Sequence, residues 1–301
     1  MQLDGLLFFP LTPFTPTGEI APEVLGQHVT AGVDAGAGGV FAACGTGEYH
    51  ALGLSEYEQV VRTAVASVDG RVPVVAGAGG PLPHAQECVR RAGAAGADAI
   101  LLMPPYLVNG AEEGLLEYIR QVAAASRCPI IIYQRNNARF TPESVVRLAR
   151  EPSIVGFKDG LGDIEQMQRI VLAVRNVIGE EFLFFNGLPT AEMSMPAYKA
   201  AGVPLYSSAA FAFVPEVAMR FHTALHAGDD ATVRRLLTEF YRPLAELRDT
   251  VPGYAVALVK AGARLRGLDA GGVRAPLTDP NPEHEAALER LIAAGLRTVQ
   301  E

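Results

Sequence analysis

Short apolar runs alternate with longer stretches whose apolar positions recur every three to four residues, and the alternation holds from residue 5 to residue 228. The short runs lie at 5–9, 39–42, 73–76, 99–103, 130–133, 154–158, 182–186 and 204–207. Several are nearly unbroken Val, Ile, Leu or Phe, which is how parallel strands buried on both faces read. The longer stretches read as amphipathic helices. Ser55 with Glu58 predicts a capping box ahead of Val60, Val61, Ala64, Val65 and Val68. Thr141 followed by Pro142 predicts an N-cap with proline in the first turn. Pro215 opens a helix that carries Val217, Phe221 and Leu225 on one face. Eight strand–helix alternations predict an α/β fold, a single (β/α)8 TIM barrel, with an open doubly wound sheet as the alternative.

The alternation stops after Gly228. Residues 229–249, 253–267 and 282–299 all read as helices. The expected organisation is a barrel over 1–228 and a C-terminal helical extension over 229–301 packed on it. Linkers, low-complexity segments and charge blocks are lacking, and no sequence period accompanies the βα repeat.

Composition narrows the partners. With 49% hydrophobic and 19% charged residues over 301 positions, the chain can bury a large core and is not disordered. A net charge of −8 without a basic patch argues against nucleic acid. No apolar run approaches the roughly 20 residues of a membrane span, so no membrane association is expected. The first residues lack the basic-then-apolar pattern of a signal peptide. Cys44, Cys88 and Cys128 are an odd set without metal-like spacing, which fits a reducing cytoplasm. The six histidines read as scattered, so no metal is expected.

Chemistry enters at the strand ends. The run at 154–158 finishes in Lys158 and then Asp159-Gly160, and the run before it finishes in Tyr133. A lysine is almost never buried without a reason. An amine beside a phenolic proton carrier suits Schiff-base chemistry on a carbonyl substrate; a lysine that merely reaches solvent from a strand end is the plain alternative. In a (β/α)8 barrel the site lies at the C-terminal ends of the strands. Those ends carry Thr12, Cys44-Gly45-Thr46-Gly47-Glu48, Pro104-Pro105-Tyr106, Tyr133 with Arg135, Lys158, Asn186-Gly187 and Ser207-Ser208. The glycines around Thr46 let backbone N–H groups converge on an anion, and a carboxylate beside a ketone is the natural occupant. An ordinary tight turn is the alternative for that segment.

These segments resemble the dihydrodipicolinate synthase and N-acetylneuraminate lyase family over essentially the whole chain. Cys44-Gly45-Thr46-Gly47-Glu48 is similar to the family's Gly-Thr-Thr-Gly-Glu loop, Tyr133 to its strand-five tyrosine, and Gly156-Phe157-Lys158-Asp159 to its Schiff-base lysine motif. The departures are Gly45 in place of the first threonine, Leu107 where many members carry a tyrosine, and Gln134-Arg135-Asn136-Asn137 in place of Asn-Val-Pro. They resemble the 5-dehydro-4-deoxyglucarate dehydratase branch, as do Phe8–Phe14, Ala43–Leu52, Gly156–Asp163, Gly187–Glu192, Tyr206–Ala209 and Gly253–Val256.

The resemblance implies a decarboxylating dehydratase that turns a sugar diacid into 2,5-dioxopentanoate, CO2 and water. It implies Lys158 as nucleophile, Tyr133 as proton shuttle, and Thr46 with the N–H groups of Gly45 and Gly47 as the carboxylate holder. Arg135 is expected on the distal carboxylate, and Asn186 and Ser208 on substrate hydroxyls; Cys44 is expected to pack and Glu48 to fix its loop. No cofactor is implied, because the imine is the electron sink. A homo-oligomer, tetramer or dimer, is implied. The rival readings are an aldolase of the same family that releases pyruvate, and a keto-acid-binding barrel without turnover.

Overall fold

The computed structural model describes residues 3–300, and its eight parallel strands close into a barrel. The strands are β1 (Leu7–Phe8), β2 (Gly39–Ala42), β3 (Val74–Ala78), β4 (Ala99–Leu102), β5 (Ile130–Gln134), β6 (Ile154–Asp159), β7 (Leu183–Asn186) and β8 (Leu205–Ser208). Because β1 pairs with both β2 and β8, the ring has no edge, and the open-sheet alternative is removed. The barrel helices are α1 (Pro22–Asp34), α2 (Leu54–Val68), α3 (Leu82–Ala95), α4 (Glu112–Ala125), α5 (Pro142–Ala149), α6 (Ile164–Ile178), α7 (Met195–Ala200) and α8 (Pro215–Ala227).

Strand side chains alternate between two cores. Leu7, Phe41, Val75, Leu101, Ile131, Tyr133, Phe185 and Leu205 fill the barrel interior. Phe8, Val40, Val74, Ile100, Ile132, Phe157, Phe184 and Tyr206 face the helices. Burial on both sides explains why the strands read as unbroken apolar runs. Strand β3 runs two residues past its predicted end because Gly77 belongs to it. A Cβ there would stand 2.3 Å from the Ala43 carbonyl oxygen, so the glycine marks a close approach of two backbones.

The α5 cap is as expected: Thr141 accepts from the Ser144 N–H. The α2 cap is not. The helix starts at Leu54, and the Glu56 carboxylate takes the Gly53 N–H, so the expected Ser55–Glu58 pair lies inside the helix. Glu58 instead pairs with Arg62 and Arg91.

Beyond the barrel come α9 (Asp230–Leu236), one π turn (Leu237–Tyr241), α10 (Arg242–Arg248), α11 (Tyr254–Leu265) and α12 (Pro282–Gln300). The π turn interrupts the single helix expected over 229–249 and turns Phe240 and Tyr241 into the core. Helix α12 packs on α8, and Arg274 reaches Glu56 and the carbonyls of Ala51 and Gly18. No helix among the described residues is long and apolar enough to cross a membrane.

Removing the α5 cap with Thr141→Ala is expected to cost about 1 kcal/mol, and Thr141→Gly less. Equilibrium urea unfolding should show the lower midpoint at an unchanged slope.

Candidate active site

Register brings the two candidate side chains together. Tyr133 on β5 pairs with Lys158 on β6, and Gln134 pairs with Asp159. Paired residues point to the same side of the sheet, and successive pairs alternate between the barrel interior and the helices. Lys158 and Tyr133 therefore share the interior, while Gln134 and Asp159 anchor the strand ends from behind. Asp159 accepts from Gln134 Nε2, from the N–H groups of Leu161 and Gly162, and from the Tyr198 hydroxyl. Four donors on the residue after Lys158 leave β6 little freedom to slide.

The Lys158 amine lies 4.1 Å from the centre of the Phe9 ring and 4.7 Å from that of Tyr133. With the residue only 4% exposed, burial lowers its pKa to about 7; Cys44 acts in the opposite sense, and the Arg135 cation adds to the lowering. A substantial neutral fraction therefore exists near neutral pH, which a nucleophilic amine needs.

Tyr133 donates to the Gly187 carbonyl at 2.8 Å and accepts from Arg135 Nη1 at 2.9 Å. Burial pushes its phenol up, and Arg135 pulls it back part of the way. Burial also pushes the Cys44 thiol up to about 12, which fits a packing residue and not a nucleophile.

Gly45, Thr46, Tyr133, Arg135, Lys158 and Gly187 line one cavity of about 450 Å³, a volume suited to a small metabolite. The N–H groups of Gly45, Thr46 and Gly47 have no acceptor among the described residues. Gly47 lies just behind the lining, with its carbonyl bound by the Thr12 hydroxyl at 2.6 Å. Glu48 turns away from the cavity to the buried Lys260 amine at 2.7 Å.

Asn186 and Ser208 do not reach the cavity. Asn186 donates to the Ala191 carbonyl and to Ser194 Oγ. Ser208 donates to Glu192 and accepts from the Phe211 N–H. Both are fully buried on the helix side, so the expectation that they hold substrate hydroxyls is corrected. Ser207, one position earlier, lines the cavity instead. Leu107 is 96% exposed and takes no part in its own chain's cavity, whereas Tyr106 lines it.

Of the other lining residues, Phe213 and Arg248 were not singled out from sequence, whereas Tyr254 and Val256 lie in the Gly253–Val256 segment noted there. Phe213, Arg248, Tyr254 and Val256 come from after the barrel strands, three of them from the tail. Arg248 is held by the Pro189 carbonyl, Thr190 Oγ1 and Asp249. The histidines contain one pair that their apparent scatter concealed. His222 and His226 stand four residues apart on α8 with ring centres 4.2 Å apart, and no third metal-ligating side chain joins them among the described residues.

A lysine and tyrosine on adjacent barrel strands, above a glycine-rich loop with free N–H groups, is one instance of a wider pattern. Residues 2–295 match the model of the dihydrodipicolinate synthetase family. The chain belongs to that family. It is similar to a "probable 5-dehydro-4-deoxyglucarate dehydratase 1" of Streptomyces coelicolor, 58% identical over 99% of this chain and 94% of the relative. A "probable 5-dehydro-4-deoxyglucarate dehydratase" of Paracidovorax citrulli is 46% identical over 96% of this chain and 94% of its own. Among solved structures, dihydrodipicolinate synthase from Bacillus clausii superposes with a TM-score of 0.88 at 28% identity, covering 97% of each chain.

Two measurements test this geometry. A Cβ at Gly187 would stand 2.6 Å from Lys158 Cε and 2.8 Å from the Asp159 carbonyl. Gly187→Ala is therefore expected to displace the amine and lower kcat/KM by roughly 10²-fold, a cost typical of small misplacements, with the circular dichroism spectrum retained. The second concerns pH. The reactive amine is the deprotonated form, so kcat/KM should rise with pH through about 7. Arg135→Met removes a cation that lowers the Lys158 pKa, so the inflection should move to higher pH in the mutant profile.

Proposed function

We propose that the protein is a Schiff-base dehydratase that converts 5-dehydro-4-deoxyglucarate into 2,5-dioxopentanoate, CO2 and water. The observation that carries this reading is the desolvated Lys158 amine beside Tyr133, in a cavity whose rim offers unused N–H groups for a carboxylate. The named relatives, similar over nearly the whole chain, support the choice of substrate.

In this reading neutral Lys158 attacks the C5 ketone while Thr46 and the N–H groups of Gly45 and Gly47 hold the C6 carboxylate. Water leaves and a protonated imine forms. The iminium acidifies C4–H; loss of that proton gives an enamine, and expulsion of the C3 hydroxyl as water gives an unsaturated iminium. The C1–C2 bond then breaks, and its electrons delocalise through the C3–C4 double bond into the imine. Protonation and hydrolysis release 2,5-dioxopentanoate and restore the amine. Tyr133 carries protons between these positions, with its phenol fixed between Gly187 and Arg135.

Arg135 takes a larger part than a clamp on the distal carboxylate. Its hydrogen bond to Tyr133 and its influence on Lys158 support a role in tuning both groups. A tight grip on C1 would also stabilise the ground state of a carboxylate that must leave as CO2. Residues 229–301 belong, in this reading, to the same working unit as the barrel. The exposed tip at Tyr106, Leu107 and Val108 supports self-association of the chain.

Borohydride with substrate should inactivate the enzyme and add mass at Lys158; mass at another lysine contradicts the assignment. Tyr133→Phe should slow turnover by roughly 10²–10⁴-fold with the fold intact. Product analysis decides the reaction. One CO2 per turnover, drawn from C1, supports dehydration, whereas stoichiometric pyruvate without CO2 identifies an aldolase.

A further inference from the structure

The loop proposed to receive the substrate carboxylate has a buried negative charge built into its end. Glu48 follows Gly47 directly, and its side chain is wholly buried. An unneutralised carboxylate there would repel the anion that the loop is meant to bind. It has one cationic partner in contact, Lys260 of α11, whose side chain is also 0% exposed and lies 212 residues away in sequence. The other Glu48 oxygen accepts the Arg274 N–H at 2.8 Å, so the tail takes both oxygens.

The same contacts hold a strained backbone. Ala43 (φ 50°) and Glu48 (φ 55°) bracket the loop in the left-handed region, which side chains other than glycine seldom adopt. The surrounding structure must impose such a conformation. Thr12 secures the Gly47 carbonyl from the segment after β1, and Lys260 with Arg274 secures Glu48 from the tail. Lys260 stacks over the Phe14 ring at 3.9 Å, and the Arg274 guanidinium lies over the same ring at 4.0 Å. The two tail cations thus share one aromatic support beside the loop.

We infer that Lys260 is a positioning residue for substrate binding: it neutralises Glu48 and holds the 45–48 loop in its anion-receiving form. The helical tail is thereby part of the carboxylate site. This rests on the Schiff-base reading of the cavity and concerns the carboxylate beside the reacting ketone, whichever bond breaks afterwards.

The test uses the full chain and pyruvate as probe, trapped on Lys158 with borohydride. Pyruvate has that carboxylate and ketone and nothing else, so the readout is independent of dehydration or decarboxylation. Lys260→Met strands the Glu48 charge. The pyruvate concentration for half-maximal inactivation is expected to rise about tenfold or more, with the saturated trapping rate much less changed. The double variant Glu48→Gln, Lys260→Met removes both charges and leaves an amide oxygen for the Arg274 N–H. Replacing a buried ion pair as a unit is often neutral for stability, so the double variant should fold and recover much of the lost pyruvate affinity. Unchanged half-saturation in a folded Lys260→Met protein overturns the inference. If that single variant does not fold, a folded double variant decides instead: half-saturation within about threefold of the parent supports charge neutralisation, and a loss of tenfold or more overturns it. Absence of trapping in the parent protein would count against the Schiff-base reading itself.

Discussion

Desolvation of one amine organises this molecule. An ammonium in water is strongly solvated, and moving it into an apolar barrel mouth is unfavourable unless it gives up its proton. Lys158 sits between the faces of Phe9 and Tyr133, with Phe185 beside it on the next strand. Gly187 must lack a side chain for the amine to fit. Asp159 must be fully hydrogen-bonded because it is buried directly behind, and four donors satisfy it. The lowered pKa of the lysine is a property of the closed barrel and not of the motif that contains it.

The sequence made the fold and the Lys158–Tyr133 pair of the cavity legible for one reason. Strands buried on both sides leave no polar positions, so a lysine or tyrosine at the end of such a run stands out. Lys158 and Tyr133 were visible on that ground, as was the glycine-rich segment around Thr46. Which way a strand-end residue points is another matter. Asn186 pairs with Asp159, and Ser208 pairs with Phe8, so both lie on the helix-facing side. That parity depends on inter-strand register, which single-strand patterns do not carry. The part that residues after the strands play in the cavity was hidden more deeply, although Gly253–Val256 was noted as a segment. Arg248, Tyr254 and Val256 belong to helices whose placement depends on packing over the barrel mouth. The α2 cap was missed by two residues because Gly53 offers the N–H and Glu56 the carboxylate, with no serine side chain involved.

Around the reacting pair, backbone strain is concentrated on the substrate side. Ala43, Glu48, Asn136 and Thr190 adopt left-handed conformations on segments that follow β2, β5 and β7. Contacts brace these loops at Thr190 and at Asn136. Arg248 bonds Thr190, and the Arg135–Ala138 bridge encloses Asn136. The helix-facing core and the opposite barrel end supply the stability that lets these loops remain fixed in unfavourable shapes.

The tie between residues 48 and 260 also orders events in time. A ribosome delivers all eight strands by residue 208, long before α11 exists. A nascent barrel can therefore begin to close while the segment after β2 still lacks its anchor. The contacts that fix Glu48 form only when Lys260 and then Arg274 have emerged and docked across the molecule. Shortened chains that stop before α11 would therefore hold Lys158 in place but lack the contacts that fix Glu48.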